Sequence, residues 1–145
     1  MQRFLEAKRV AVVGVSRQAG FGNLAFKALR AKGYQVVPVN AAASQVEGEP
    51  CYRRLADIPG GVDAVLCVVP PTQSVRVVDE CIALGISRVW LQTGAASSEA
   101  IARAGSAGLS LVHDACVLMY AEPRGLHRLH RWIHHLGKPR SPATA

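Results

Sequence analysis

Short, unbroken apolar runs alternate along this chain with stretches where apolar residues recur every three or four positions. Arg9-Val-Ala-Val-Val-Gly-Val15 is the first run and reads as a strand buried on both faces and ended by glycine. The spacing of Leu24, Ala25, Ala28 and Leu29 predicts a helix over residues 23–32, with Asn23 as its cap and Gly33 as its stop. Tyr34–Val39 is a second strand, and the Pro38 within it marks a strand end or a sheet edge. Residues 40–50 are small and polar and read as a connecting loop, and residues 52–58 hold one helical turn before Pro59-Gly60-Gly61. Asp63–Val69 is a third strand closed by Pro70-Pro71. Thr72 then caps a helix that turns Val75, Val78, Cys81 and Ile82 inward and ends at Gly85. Ser87–Leu91 is a fourth strand, residues 97–107 a helix, and Leu109–Val112 a fifth strand.

Strands that alternate with helices of this length build βαβ units, hence a parallel sheet with right-handed crossovers. The expected fold is a single α/β, Rossmann-like, doubly wound domain over residues 1–122, with strand order 3-2-1-4-5. Beyond it, Leu126, Leu129, Ile133 and Leu136 recur at helical spacing. They predict an amphipathic helix over residues 123–137, packed on the domain or on a second copy in a homodimer, with a fraying tail over 138–145. In such a sheet a ligand sits beyond the carboxyl ends of the strands. That edge is built here from residues 14–22, Val39-Asn40, Val69-Pro70-Pro71 and Gln92-Thr93-Gly94.

The chain has 145 residues, half of them hydrophobic, enough for one buried core. No apolar run reaches the roughly 20 residues that cross a bilayer, and the first ten residues lack a signal-peptide core, so a cytoplasmic location is expected. The four cysteines, Cys51, Cys67, Cys81 and Cys116, form no CxxC pair, so they are expected to be reduced and mostly buried rather than zinc ligands. The net charge of +7 gathers at the two ends of the chain, which suits a polyanion such as a phosphorylated cofactor or a nucleic acid. With aromatic residues at 6% and no RNA-reading motif, the nucleic-acid reading is the weaker of the two.

The candidate phosphate site is Gly14-Val-Ser-Arg-Gln-Ala-Gly-Phe-Gly22, between a strand and a helix. Glycines there let backbone amides approach an anion, and the helix N-terminus adds its dipole. Ser16 offers a hydroxyl and Arg17 a charge. The spacing is not GxGxxG, and Asn40 ends the second strand where an NAD enzyme places Asp or Glu for the ribose hydroxyls. An NADP-binding Rossmann protein, or the relic of an oxidoreductase, stays open as the alternative.

Taken together, AVVGVS…GF, GYQVVPVN, Y-x-x-L-A-D-I-P, Val-Pro-Pro-Thr at 69–72, Val-Trp-Leu-Gln-Thr-Gly at 89–94 and His-Asp-Ala-Cys at 113–116 resemble the small CoA-binding proteins of bacteria and archaea. These are similar to the N-terminal CoA-binding domain of succinyl-CoA synthetase alpha subunits. The resemblance covers about residues 5–120 and implies coenzyme A or acyl-CoA as the ligand. It implies that Val15, Ser16 and Arg17, after Gly14 of the loop, hold the pyrophosphate or the 3′-phosphate, and that Val39 and Asn40 border the adenosine. Val69, Pro70 and Pro71 would line the nucleotide's path, with Ser74 near the next helix start. Gln92, Thr93 and Gly94 would face the pantetheine arm. Relatives often carry Lys shortly after the Asn of VNP and basic residues in place of Pro70-Pro71-Thr72; this chain has Ala41 and those prolines.

Few residues suggest catalysis. His113, Asp114 and Cys116 follow one another closely and could pair a thiolate with a base. They also fit a plain turn, with Asp114 as a cap and Cys116 packed. In succinyl-CoA synthetase the phosphorylated histidine lies in another domain, so by that resemblance this chain binds without turnover, with no catalytic residue of its own. His130 and His134 share a helical face but have no Glu or Cys beside them, so no metal site is expected.

Overall fold

The computed structural model describes residues 1–120. The predicted C-terminal helix and tail, with their histidines, lie outside the described residues. In chain order the elements are α1 (Gln2–Leu5), β1 (Arg9–Val13), α2 (Phe21–Ala31), β2 (Gln35–Val39), a hairpin of β3 (Gln45–Val46) and β4 (Glu49–Pro50), and a 3-10 turn (Leu55–Asp57). Then come β5 (Ala64–Cys67), α3 (Pro71–Leu84), β6 (Arg88–Gln92), α4 (Ser98–Ser106), β7 (Ser110–Ala115) and α5 (Val117–Tyr120).

Five strands form one parallel sheet in the order β2-β1-β5-β6-β7. The doubly wound α/β class is as expected, but the order is not. Counting the sheet strands alone it is 2-1-3-4-5, with the second strand at the edge instead of inside. Pro38 explains this. It has no N–H to give a second neighbour, and Gln35 at the strand's start is exposed, so β2 suits only an edge. The outer side of β2 is blunted by Tyr52, whose amide donates to Pro38 O (3.1 Å) and whose carbonyl accepts from Asn40 N (2.9 Å). The loop expected over 40–50 contains the β3–β4 hairpin that leads into this strap.

Each buried strand feeds two cores. Val10 and Val12, Ala64 and Leu66, and Trp90 face α1, α2 and α5. Ala11, Val65, Cys67, Val89 and Leu91 face α3, α4 and the 3-10 turn. The alternation is hidden in the sequence because both faces are dry. Trp90 is fully buried, donates its indole N–H to Ala115 O at 2.9 Å, and meets Phe4 edge-on at 5.2 Å.

Several helix details differ from the sequence expectations. Helix α2 starts at Phe21 with Gly20 as its cap, so Asn23 lies within the first turn. Leu24 is on the outside, and Phe26 fills the core beside Ala25 and Leu29. Helix α3 starts at Pro71, where a missing N–H costs nothing, with Pro70 rather than Thr72 in the cap position. Ile82 is exposed, whereas Ser74 and Val77 turn inward. Gly85 closes the helix in the left-handed conformation, as expected. The last strand runs on to Ala115 because its register shifts: Trp90 pairs Val112, but Gln92 pairs Ala115. His113 and Asp114 form that bulge, with Asp114 at φ +56°.

The turn after β1 is the tightest point. Gly14 has φ +112°, and a Cβ there would lie 2.3 Å from Val68 O. A Cβ on Gly22 would lie 2.3 Å from Gly14 O. Both obstacles are backbone and cannot rotate away. Gly22→Ala is expected to cost about 1–3 kcal/mol despite alanine's better helix propensity, seen as a fall of several degrees in thermal unfolding. An unchanged melting temperature would show that the turn can open.

Asp63 fastens the starts of β1 and β5: its Oδ2 accepts from Arg9 N at 3.0 Å and Lys8 N at 3.1 Å. The Arg9 amide first, then that of Lys8, holds the carboxyl below its ordinary 3.8. A depressed folded pKa gives stability that is complete above the unfolded value and lost as pH falls through the folded one. Asp63→Asn should therefore melt below the wild type at pH 7, and the gap should narrow as the pH falls below 3.8. A pH-independent gap would remove the ionised carboxylate from the account.

Candidate functional site

β1 lies between β2 and β5, so the chain winds in opposite directions from its two sides and leaves a crevice beyond its carboxyl end. Two cavities open at that edge, of about 500 and about 650 Å³. Both are within the range of small-molecule sites. Val69 lines both.

The larger cavity is bordered by Val13, Gly14, Val39, Asn40, Ala41 and Ala42 on the β1–β2 side, and by Gln73, Arg76, Val77 and Glu80 of α3. Arg53, Arg54 and Asp57 complete it from the strap that follows the hairpin. Its two carboxylates are engaged locally. Asp57 meets Arg54 at 3.6 Å, and Glu80 accepts the Leu55 amide at 3.2 Å. Arg53 and Arg76 form no ion pair with any described residue.

The smaller cavity is more apolar. Phe21, Val68, Val69, Pro70, Ala95 and Cys116 line it with Gln92, Thr93 and Gly94. Cys116 is half-buried. Cys51, Cys67 and Cys81 are buried, as the sequence led us to expect. Burial pushes the Cys67 thiol up to about 11, and burial, with Cys67 and Glu80 nearby, pushes Cys81 to about 12. Burial raises Cys51 as well.

Between the cavities lies the glycine turn, held by two asparagines. Buried Asn23 accepts the Ser16 amide at 3.1 Å, donates to Ser16 O at 2.8 Å, and donates to Glu47 Oε1 at 2.8 Å. Asn40 donates to Val15 O at 2.8 Å and accepts from Ala42 N at 2.7 Å. The amides of Phe21, Gly22 and Asn23 open α2 and have no intrahelical acceptor, so this end of the helix carries positive potential.

The structure brings most of the sequence-predicted residues to this edge. Gly14, Val39 and Asn40 line the larger cavity, Pro70, Gln92, Thr93 and Gly94 the smaller, and Val69 both. Val15 is fully buried beneath the turn. Ser16 and Arg17 sit on the turn without lining either cavity; the Ser16 hydroxyl donates to Gln18 O at 2.5 Å. Pro71 is exposed at the start of α3, outside both linings. Ser74 is fully buried and donates to Pro71 O at 2.8 Å, so its hydroxyl does not reach a cavity. Gln92 lines the smaller cavity, and its Oε1 accepts the Val117 amide at 3.0 Å.

Sequence reading missed Arg53, Arg54, Arg76 and Phe21. The first two occupy the variable places of Y-x-x-L, where a pair of arginines was a visible signal. His113 Nδ1 lies 2.6 Å from Asp114 Oδ2, and no hydrogen bond joins it to Cys116 among the described residues, so a base–thiolate pair is not formed.

Together, the parallel sheet and its switch-point crevice define a Rossmann-like α/β domain. The chain matches the family model of the CoA binding domain over residues 8–122, and it belongs to that family. It is 32% identical over 130 residues to the ADP-forming acetate–CoA ligase I of Archaeoglobus fulgidus, an alignment spanning 82% of this chain and 19% of the ligase. It is 29% identical over 112 residues to the uncharacterized protein YneT of Bacillus subtilis, spanning 77% of this chain and 83% of that protein. Among solved structures it is similar to a hypothetical protein from Pyrococcus horikoshii, with 32% identity, a TM-score of 0.77, and coverage of 81% of this chain and 84% of that one. These matches lend no support to the NADP alternative.

The thiols give a direct check on the smaller cavity. With a disulfide reagent at pH 8, native protein should show one fast thiol out of four, abolished by Cys116→Ser. The other three should react only on unfolding. Fast labelling of Cys67 or Cys81 would mean that the α3 face of the sheet opens.

Proposed function

We propose that this domain binds coenzyme A, free or acylated, across the two cavities and holds it without turnover. The observation that carries this reading is the pairing of unlike cavities on either side of Val69: one bordered by arginines, the other apolar with a thiol on its wall. Coenzyme A has the same division, an anionic phosphoadenosine and an uncharged thiol-bearing arm. The nucleotide lies in the larger cavity near Asn40. The diphosphate passes the first-turn amides of α2, where the helix dipole favours anions. Arg17 on the exposed turn adds charge. The arm runs over Val69 and Pro70 toward Gly94, with its thiol end near Cys116. The membership in the CoA-binding family supports the ligand class.

The non-catalytic part of the reading rests on the side chains at the edge. Asn23, Asn40 and Gln92 are committed to backbone groups, and His113 is tied to Asp114. A carrier, sensor or scaffold role follows. The ligase relative is far longer than the aligned segment, so its activity is not carried over.

Calorimetric titration with CoA, and with NAD, NADP and ATP as comparators, tests the ligand. CoA should bind saturably, and Ser16→Asp, which puts a negative charge on the turn, should weaken it by at least about tenfold, about 1.4 kcal/mol. CoA should also slow alkylation of Cys116. Binding of NADP without CoA would overturn the reading. CoA binding that leaves Cys116 equally reactive would move the arm elsewhere.

A further inference from the structure

Three arginines and two carboxylates line the larger cavity, so its wall is net positive. Arg53 and Arg76 reach its wall from different elements, the strap after the hairpin and the second turn of α3. Both are exposed, and neither is paired with a described carboxylate. The acids on the same wall are directed elsewhere: Asp57 meets Arg54, and Glu80 accepts the Leu55 amide. The floor opposite, Ala41 and Ala42 after β2, carries no charge.

The position matters as much as the charge. The end of β2 is where a Rossmann domain meets the ribose. A carboxylate there selects free hydroxyls. Here the side chain is Asn40, whose Nδ2 is held by Val15 O and whose Oδ1 is held by Ala42 N. Two unpaired guanidiniums facing an uncharged floor suit a phosphate monoester on the sugar, since arginine's fork of donors matches phosphate oxygens.

We propose that Arg53 and Arg76 make this site selective for a ribose that carries a phosphate, so that CoA is preferred over dephospho-CoA. This rests on the CoA reading and specifies it: the glycine turn serves the diphosphate, and the arginine wall serves the 3′-phosphate. Arg54, already paired with Asp57, has the lesser part.

The test is a matched titration of the full chain with CoA and dephospho-CoA, in wild type and in Arg53→Gln/Arg76→Gln. Wild type should prefer CoA by at least about tenfold, as charge-assisted hydrogen bonds to one phosphate imply. In the double variant CoA affinity should fall to that of dephospho-CoA, which should itself stay unchanged. Both arginines are exposed, so folding should persist, as thermal unfolding would verify. Arg103→Gln, on α4 and bound to Asp79 and Glu99, removes a charge outside the cavity and should leave the preference intact. Equal affinity of wild type for the two ligands, or a preference that survives in the double variant, overturns the proposal while the CoA reading stands. Absence of binding to either ligand overturns both.

Discussion

The close approach of three backbones fixes the functional edge of this domain. The turn after β1, the first turn of α2 and the end of β5 meet at Gly14, Gly22 and Val68, closer than any side chain allows. Remove that contact and α2 no longer points its free amides at the crevice. The two cavities depend on it as well, because Gly14 borders one, Val68 the other, and Val69 both. A glycine-rich turn is usually read as room for a phosphate. Here the glycines at both ends of the turn are required for packing first, and the exposed stretch between them is then free to meet an anion.

A second layer holds the turn in place. Asn23 grips both backbone groups of Ser16 and reaches the hairpin through Glu47, which also meets Lys27 at 3.3 Å. The bond from Asn23, more than the charge of Lys27, draws the Glu47 carboxyl below its ordinary range. Asn40 repeats the device from β2, and Gln92 does so at the far side, fastening α5 to β6. Among the described residues no buried side-chain nitrogen or oxygen lacks a partner. Half-satisfied polar groups would leave a loop free to rearrange. These amides instead make the edge a preformed surface, which lowers the ordering cost of binding.

The class of fold was legible because five apolar runs were separated by helical spacing, and each run became a sheet strand. The strand order was also written in the chain, at Pro38. An edge strand follows from its missing N–H, whereas the order borrowed from dinucleotide-binding folds would have put it inside the sheet. What stayed hidden depends on contacts distant in sequence. The β3–β4 hairpin is two residues per strand, too short for any alternation to register. Asn23 looked like a cap because its partners, Ser16 and Glu47, come together only in the folded chain. At the site, the glycine turn and the strand ends were legible as positions along one sheet edge. The arginine pair at 53–54 was visible, but its meeting with Arg76 was not, since the strap and α3 become neighbours only after β5 inserts beside β1.

Most of the polar side chains at this edge serve the protein's own backbone, and that shapes what the edge can recognise. A nicotinamide dinucleotide needs an acceptor for its ribose diol at the end of β2. Asn40 has its oxygen on Ala42 and its nitrogen on Val15, and Ala41 and Ala42 offer no side-chain acceptor. The groups left for a ligand include helix amides, guanidiniums, the side chains of Gln73 and Thr93, and apolar walls. Helix amides and guanidiniums read charge, and apolar walls read shape, which is the combination that the proposed ligand, a polyphosphate with an uncharged arm, would use. A reacting group would also need a base or nucleophile held in register with it. The cavity-lining thiol of Cys116 has no hydrogen-bonded base among the described residues, and His113, in the bulge of β7, is turned to its neighbour Asp114. On the proposed reading the edge holds a long anionic ligand in a fixed pose, and its selectivity comes from where the positive charge has been placed.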